Sequence, residues 1–143
     1  MIHLAQAEYP NKITFHEKFD VSLPDLTGDK EQLIQAVLNI VRNASQAVMP
    51  DGQIMISTEI VRKVTILKKM CPLAIRLTIL DNGPGIPEEI KSKIFFPLIS
   101  GRPGGSGLGL FIAQKLINEN RGNIVVNSDP GRTMFAIVLP VCS

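Results

Sequence analysis

The pentapeptide Asp81-Asn82-Gly83-Pro84-Gly85 follows directly on an apolar run, Leu73 to Leu80, whose composition is typical of a buried β-strand. Its two glycines and its proline end the strand and require a loop. A carboxylate at such a strand end can accept a hydrogen bond from the exocyclic amine of adenine, at the position where guanine has a carbonyl. The same residues also suit an ordinary turn, so the neighbouring segments must separate the two interpretations.

A long amphipathic helix is predicted upstream, from Asp29 to about Met49. Asp29 and Gln32 resemble a capping box, in which two side chains satisfy backbone groups at a helix start. The apolar residues that follow recur at helical spacing: Leu33, Val37, Ile40, Val41, Ala44 and Val48. The pattern therefore predicts a helix with one face against a core.

The other face of this helix is a polar stripe. Asn39 and Asn43 lie four residues apart, and Gln35 and Gln46 extend the stripe. Asparagine is a mediocre helix former, so two of them in a helix need a reason. Either the stripe is simply solvated, or the carbonyl oxygen of Asn43 binds Mg²⁺, a cation that prefers oxygen ligands.

A second glycine-rich stretch runs from Gly101 to Leu110, as Gly-Arg-Pro-Gly-Gly-Ser-Gly-Leu-Gly-Leu, into a helix predicted to begin at Leu108. Backbone N–H groups at a helix start favour anions, so those of Ser106 to Leu108 are candidates for phosphate contacts. The stretch matches neither the dinucleotide fingerprint nor the P-loop, and a structural hinge is the alternative. Further on, the Thr133 hydroxyl could join a water-bridged network to Asp81 and a base.

The remaining pattern predicts an α/β fold: a two-layer sandwich whose mixed, mainly antiparallel sheet is covered by helices on one face. Strands are expected over residues 12–19, 53–61, 73–80, 123–127 and 133–141, with a basic loop between the second and third. A short helix is expected after Pro87, and Gly122 is expected to cap the helix that begins at Leu108. All 143 residues are expected to form one domain.

Bulk properties exclude several classes of protein. The net charge of +2 is too small to predict a nucleic-acid partner, although Arg62, Lys63, Lys68 and Lys69 crowd one segment. No apolar stretch reaches the roughly 20 residues that a membrane-spanning helix needs. Two cysteines far apart in sequence are expected to be reduced thiols, which favours a cytoplasmic setting.

Together, the motifs resemble those of the ATPase superfamily that contains histidine kinases, gyrase, heat-shock chaperones and mismatch-repair proteins, the Bergerat fold. In their order along the chain, Asn39 to Ala44 resembles the N box, Asp81 to Gly85 the G1 box, Phe95-Phe96 the F box, and Gly105 to Gly109 the G2 box. The resemblance spans residues 10 to 141 and implies ATP and Mg²⁺ as cofactors. It implies catalytic roles for Asn39 and Asn43, with Asn43 on the metal. The cofactor-binding residues that it implies are Asn43, Gln46, Asp81, Gly83, Gly85, Ile86, Arg102, Gly105, Ser106, Gly107, Leu108, Gly109 and Thr133.

Position 39 departs from the hydrolysing members, which have a glutamate there as the general base. An amide such as that of Asn39 cannot take the proton of water. The departure favours phosphoryl transfer to a supplied nucleophile, which in histidine kinases is a histidine on a separate dimerisation domain. Neither His3 nor His16 has the flanking pattern of that histidine, so the phosphoacceptor domain is expected to precede Met1.

Within the histidine kinases, the sequence is most similar to the NtrB family of nitrogen-regulation sensor kinases. The similarity lies in Leu38 to Ala44, Asp81 to Pro87, Phe96-Pro97 and Ser100 to Arg102. It implies the response regulator NtrC and the PII signal protein as partners, with neither nucleic acid nor membrane. Two rival hypotheses are an ATP hydrolase of the same fold and a docking module without catalysis.

Overall fold

The computed structural model describes residues 13–19, 28–48, 52–97 and 108–141. The strands are β1 (Ile13–Lys18), β2 (Gly52–Ile66), β3 (Lys69–Asp81), β4 (Asn123–Asp129) and β5 (Arg132–Pro140). The helices are α1 (Lys30–Ala47), α2 (Glu88–Lys91) and α3 (Gly109–Glu119). Residues 20–27, 49–51 and 98–107 lie outside the described part of the chain, as do both termini.

The strands form one five-stranded sheet in the order β1-β2-β3-β5-β4. β1 pairs with β2 in parallel, and the other three pairings are antiparallel. The prediction of a mixed, mainly antiparallel sheet is therefore confirmed. The pairing places the end of β3, the start of β5 and the end of β4 side by side at one edge of the sheet.

α1 and α3 cover one face of the sheet and enclose the main core. The side chains that are almost fully buried there come from both helices and from three strands: Ile40, Val41, Ile54, Ile79, Ile117, Phe135 and Ile137. Burial of side chains of this kind contributes about 1.5–3 kcal/mol each. The apolar stripe predicted for α1 supplies its part of this core, so helices on one face are confirmed.

The predicted capping box of α1 is only half formed. Asp29 accepts a hydrogen bond from the Gln32 backbone N–H at 3.1 Å, as the motif requires. The reciprocal bond is replaced by Asn120, whose Oδ1 accepts from the Asp29 N–H at 2.8 Å and whose Nδ2 donates to Gln32 Oε1 at 3.0 Å. A residue 91 positions away in sequence thus completes the helix start.

The basic segment between β2 and β3 is strand rather than loop. Both strands continue to a two-residue turn at Leu67 and Lys68, and pairs as far as Ile66↔Lys69 are in register. The reason is a small second core, in which the inward side chains of Ile66, Cys71 and Ala74 are buried. The basic residues Arg62, Lys63, Lys68 and Lys69 are all exposed around it.

The end of α3 also differs from the prediction. Arg121, not Gly122, has the left-handed backbone, with φ 65°. Gly122 is needed for space, because a Cβ there would lie 2.6 Å from Leu139 Cδ2 and 2.8 Å from the Val138 carbonyl oxygen. The glycine therefore marks close packing against β5 rather than the residue that reverses the chain.

Two further predictions concern the state of the cysteines and the lack of a membrane-spanning helix. Cys71 is a buried free thiol. Cys142 lies outside the described residues, so the expectation of two reduced thiols stays a prediction. Among the described residues, no helix combines the length and the hydropathy that a membrane crossing requires.

Candidate functional site

Asp81 is the last residue of β3, and its side chain is 3% exposed. It faces the helix layer because side chains alternate along a strand and Ile79, two residues earlier, lies in the core. Its Oδ1 accepts a hydrogen bond from the Gly83 N–H at 2.9 Å, which fixes the carboxylate at the start of the loop. Thr133 is its partner across the β3–β5 pairing.

The two glycines of the loop are required by close backbone contacts. A Cβ at Gly83 would lie 2.9 Å from Asp81 Oδ1 and 3.0 Å from the carbonyl oxygen of Ala47, near the end of α1. Gly85 has φ +92°, and a Cβ there would lie 2.6 Å from the Asp129 carbonyl oxygen. The loop is thus wedged between α1 and the β4–β5 turn, where only glycine fits.

Ser128 fastens the other side of the loop, and the sequence analysis missed it. Its hydroxyl oxygen accepts from the Ile86 N–H at 2.8 Å and shares a hydrogen bond of 2.8 Å with the Thr133 hydroxyl. Both hydroxyl residues are buried. The available signal was the alternation of β4, because Ser128 occupies the inward position that follows Ile124 and Val126.

A cavity of about 440 Å³ lies between α1, the loop and α2. This volume is within the range of cavities that hold small ligands. Its walls are formed by Asn43, Ala47, Pro84, Gly85, Ile86, Pro87, Glu88, Ile90, Lys91, Ile94, Asp129 and Pro130. Asp81 is not on the wall itself but lies next to it, where Gly83 approaches Ala47.

Asn43 is the one predicted metal ligand, and it lines this cavity. Within the described part of the chain, no side chain or backbone group forms a hydrogen bond with its carboxamide. An unpaired amide oxygen on a cavity wall is a donor of the type that Mg²⁺ accepts. Gly83, whose N–H donates to Asp81, approaches Ala47, one helical turn after Asn43. Asn43 therefore lines the cavity, whereas Asp81 lies behind the loop that forms one of its walls and itself lines a smaller concavity of about 210 Å³.

Asn39 is placed differently from Asn43. Its Nδ2 donates to the Gly109 carbonyl oxygen at 3.2 Å, and its Oδ1 accepts from Gln35 Nε2 at 2.8 Å. It therefore ties α1 to the start of α3 and does not line the cavity. Gln46 is exposed and also lies off the cavity wall.

Leu108 and Gly109 form the start of α3, and no side chain within the described part of the chain caps it. The N–H groups of a first helical turn lack partners within the helix, which makes this end suitable for an anion. A Cβ at Gly109 would meet nothing within 4 Å, so this glycine is not required for packing. The predictions for Arg102, Gly105, Ser106 and Gly107 fall outside the described residues.

Lys91 is the only cation on the cavity wall among the described residues, and the sequence analysis did not single it out. Its Nζ lies 3.0 Å from Glu88 Oε1, one turn earlier in α2. The ion pair is largely solvated and contributes little to stability. The cavity wall also carries the carboxylates of Glu88 and Asp129, so both signs of charge are present there.

Comparison with protein families matches residues 28–143 to the family described as histidine kinase-, DNA gyrase B-, and HSP90-like ATPase. The chain belongs to this ATPase family. Membership in this family implies ATP binding. The resemblance inferred from the motif order is therefore confirmed.

Solved structures confirm the fold of this ATPase domain. The mycobacterial sensor histidine kinase MprB aligns with a TM-score of 0.81 and 25% identity, over 97% of this chain and 90% of that one. The nucleotide-free catalytic domain of histidine kinase ThkA aligns with a TM-score of 0.79 and 28% identity, over 98% and 86%. The chain thus has the fold of a histidine kinase catalytic domain.

A curated relative points to the same class of ATPase. The sensory histidine kinase/phosphatase NtrB of Vibrio alginolyticus is 46% identical over 140 residues, which is 96% of this chain. The aligned region is 40% of that relative, so this chain spans about two fifths of its length.

Proposed function

We propose that this domain binds Mg²⁺-ATP and transfers the γ-phosphoryl group to a histidine on a separate dimerisation domain of the same protein. In this reaction an imidazole nitrogen attacks the γ-phosphorus, the bond to the bridging oxygen breaks, and ADP leaves. The observation that carries the proposal is the position of Asn43 on the wall of a cavity that is closed on one side by the loop following Asp81, with an amide rather than a carboxylate at position 39.

Asp81 would recognise the adenine amine, and Thr133 would assist through a bridging water. The carboxylate is buried and held by Gly83, so it is oriented before a ligand arrives. Such preorganisation lowers the entropic cost of binding. The loop held by Ser128 and Asp129 would form the adjoining surface for the base, with Ile86 supplying an apolar contact.

Asn43 would supply the protein's oxygen to Mg²⁺, and the nucleotide phosphates and water would supply the rest. Among the described residues, no three acidic, histidine or cysteine side chains lie close enough together to hold a metal ion. These residues alone therefore do not provide a complete set of ligands for Mg²⁺. Mg²⁺ is commonly held in this way, by a few protein oxygens together with substrate phosphates. The start of α3 and the predicted residues Arg102 to Gly107 would contact the phosphates.

Asn39 argues against hydrolysis as the main reaction. Its amide is already engaged with Gln35 and with the first carbonyl of α3, and it has no basic atom for the proton of water. Transfer to a histidine needs no such base, because positioning and charge neutralisation carry phosphoryl transfer.

The similarity to NtrB extends the proposal to the whole protein. We propose that the parent protein is a cytoplasmic sensor kinase of nitrogen regulation, with a response regulator of the NtrC type and the PII signal protein as partners. The relative's role as a sensory histidine kinase/phosphatase supports the kinase part of this proposal. The pathway, the compartment and both partners are part of the proposal, because the chain covers only two fifths of that relative.

The decisive experiment mixes this chain with MgATP labelled at the γ-phosphate and with a fragment that carries the phosphoacceptor histidine of a similar NtrB protein. Label should appear on the fragment while release of inorganic phosphate stays slow. The Asn43→Ala variant should lose most of the transfer and most of the Mg²⁺ dependence of ADP binding. Asn127→Ala, an exposed asparagine on β4, serves as the matched control.

The two rival functions predict different results. Rapid phosphate release without labelled histidine would identify a hydrolase of the same fold. Neither release nor transfer, with ADP binding intact, would identify a docking module.

A further inference from the structure

A second concave surface lies at the opposite end of β3 from Asp81, roughly 40 Å along the strand. We call it the hairpin-tip pocket. Its volume is about 330 Å³, and its lining residues come from the β2–β3 turn, the end of α3 and the end of β5: Ile66, Leu67, Lys69, Met70, Cys71, Pro72, Asn118, Arg121 and Pro140. None of them belongs to the proposed nucleotide site.

The backbone around this pocket is strained. Among the described residues, the non-glycine positions with positive φ are Lys63, Leu67, Lys68 and Arg121. Leu67 and Lys68, with φ 49° and 67°, form a two-residue hairpin turn of a type that normally takes Asn-Gly. Arg121 stands where a helix end normally has glycine. Each such residue costs about 1–2 kcal/mol relative to an unstrained conformation.

Two of the strained residues, Leu67 and Arg121, line the pocket. Leu67 is 51% exposed and Met70 62%, which makes Met70 the most exposed large apolar side chain of the described residues. Glycine at the turn would relieve the strain but would remove the Leu67 side chain from the surface. Strain that persists where a side chain is displayed is a recognised indicator of a functional surface.

The charge around the hairpin-tip pocket is positive. Lys69 and Arg121 line it, and no carboxylate does. Lys68, at the turn, adds a third cation. None of the three takes part in an ion pair with a described residue, whereas Arg76 further along β3 is paired with Glu59. The pocket therefore offers unpaired cations around an apolar centre.

We propose that the hairpin-tip pocket docks an acidic segment of a partner protein that inserts an apolar side chain between Leu67 and Met70. The apolar side chain would bury the exposed surface, and the acidic flanks would pair with Lys68, Lys69 and Arg121. Charge complementarity of this kind gives register and speed of association, while the buried anchor supplies most of the affinity. The inference does not depend on the proposed kinase reaction.

The test uses a fluorescent peptide rich in Asp and Glu with Leu and Phe at its centre, and measures its anisotropy on titration with this chain. Binding should weaken with salt and should fall at least tenfold for a peptide in which Ser replaces Leu and Phe. Lys68→Glu with Lys69→Glu should abolish binding, whereas Lys93→Glu, an exposed lysine near α2, should leave it unchanged.

The double variant Leu67→Gly with Lys68→Gly separates docking from a structural role. Relief of the positive φ should keep or raise the melting temperature, and peptide binding should nevertheless fall at least tenfold. No binding of the peptide to the unmodified chain would overturn the proposal. Equal binding of the Ser-substituted peptide, or tighter binding to vesicles of anionic lipid, would overturn it as well.

Discussion

Asp81 combines two properties that rarely occur together, a carboxylate and almost complete burial. Burying a charge is costly unless hydrogen bonds compensate for the lost water. The Gly83 N–H supplies one such bond. Asparagine at this position would keep the shape and one acceptor oxygen but would replace the other oxygen with a donor.

The Asp81→Asn variant should therefore fold and bind ADP at least about tenfold more weakly, since a lost hydrogen bond to a charged acceptor costs about 1.5–3 kcal/mol. Calorimetry measures the affinity, and circular dichroism checks the fold. Glu59→Gln, on exposed β2, is the matched control and should bind as the unmodified chain does. Unchanged affinity in Asp81→Asn would remove Asp81 from the site.

Gly85 and Gly131 allow backbone strain to be separated from steric contact. Both have positive φ, but a Cβ at Gly85 meets the Asp129 carbonyl oxygen at 2.6 Å, whereas at Gly131 it meets nothing within 4 Å. Gly131→Ala should lower the free energy of unfolding by about 1 kcal/mol, the cost of the conformation alone. Gly85→Ala should lower it by at least twice as much in urea titrations, and should also weaken ADP binding.

Candidate site residues could be proposed from the sequence where they belong to a recognisable motif. Asn43 and Gly85 line the cavity, and Asp81 and Gly83 belong to the loop beside it, while their roles in binding stay predictions. Ser128 belongs to no such motif, and a single serine at a strand end does not indicate a site by itself. Its role becomes visible only when the pairing of the strands is known. Its importance comes from pairing and burial, which are properties of the folded chain.

Elements with a regular apolar period were predicted well, and their ends less so. α1 begins after its cap Asp29, as expected, because the pattern of apolar residues and the cap agree. The β2–β3 hairpin was predicted too short because its basic residues suggested a loop, while the inward Ile66 and Cys71 extend both strands. Local composition does not report which side chains a second core will bury.

Asn120, at the end of α3, completes the cap at the start of α1, and substituting it tests how much this cap contributes to stability. Its side chain takes part in three hydrogen bonds, to the Asp29 N–H, Gln32 and the Leu116 carbonyl oxygen. Asn120→Ala leaves the Asp29 N–H without its partner in a part-buried position and should lower the free energy of unfolding by about 2 kcal/mol. Asn118→Ala, exposed on the same helix, should change it by less than about 0.5 kcal/mol. Equal costs would show that the cap contributes nothing.

The molecule has its two candidate surfaces at opposite ends of β3, with the nucleotide cavity at one and the hairpin-tip pocket at the other. Substitutions at distant sites without shared partners usually act independently. Leu67→Gly should therefore change ADP affinity by less than about twofold. Likewise, Asn43→Ala should leave binding of the acidic peptide unchanged. A larger effect in either direction would reveal energetic coupling along the sheet.

α1 and α3 are fastened to each other twice, by Asn39 at the first carbonyl of α3 and by Asn120 at the backbone entering α1. Because these hydrogen bonds lie at both ends of the contact between the two helices, we expect them to oppose rotation of one helix relative to the other. We therefore expect α1 and α3 to move as one unit, so that changes in the shape of the cavity arise in the loops at its margin.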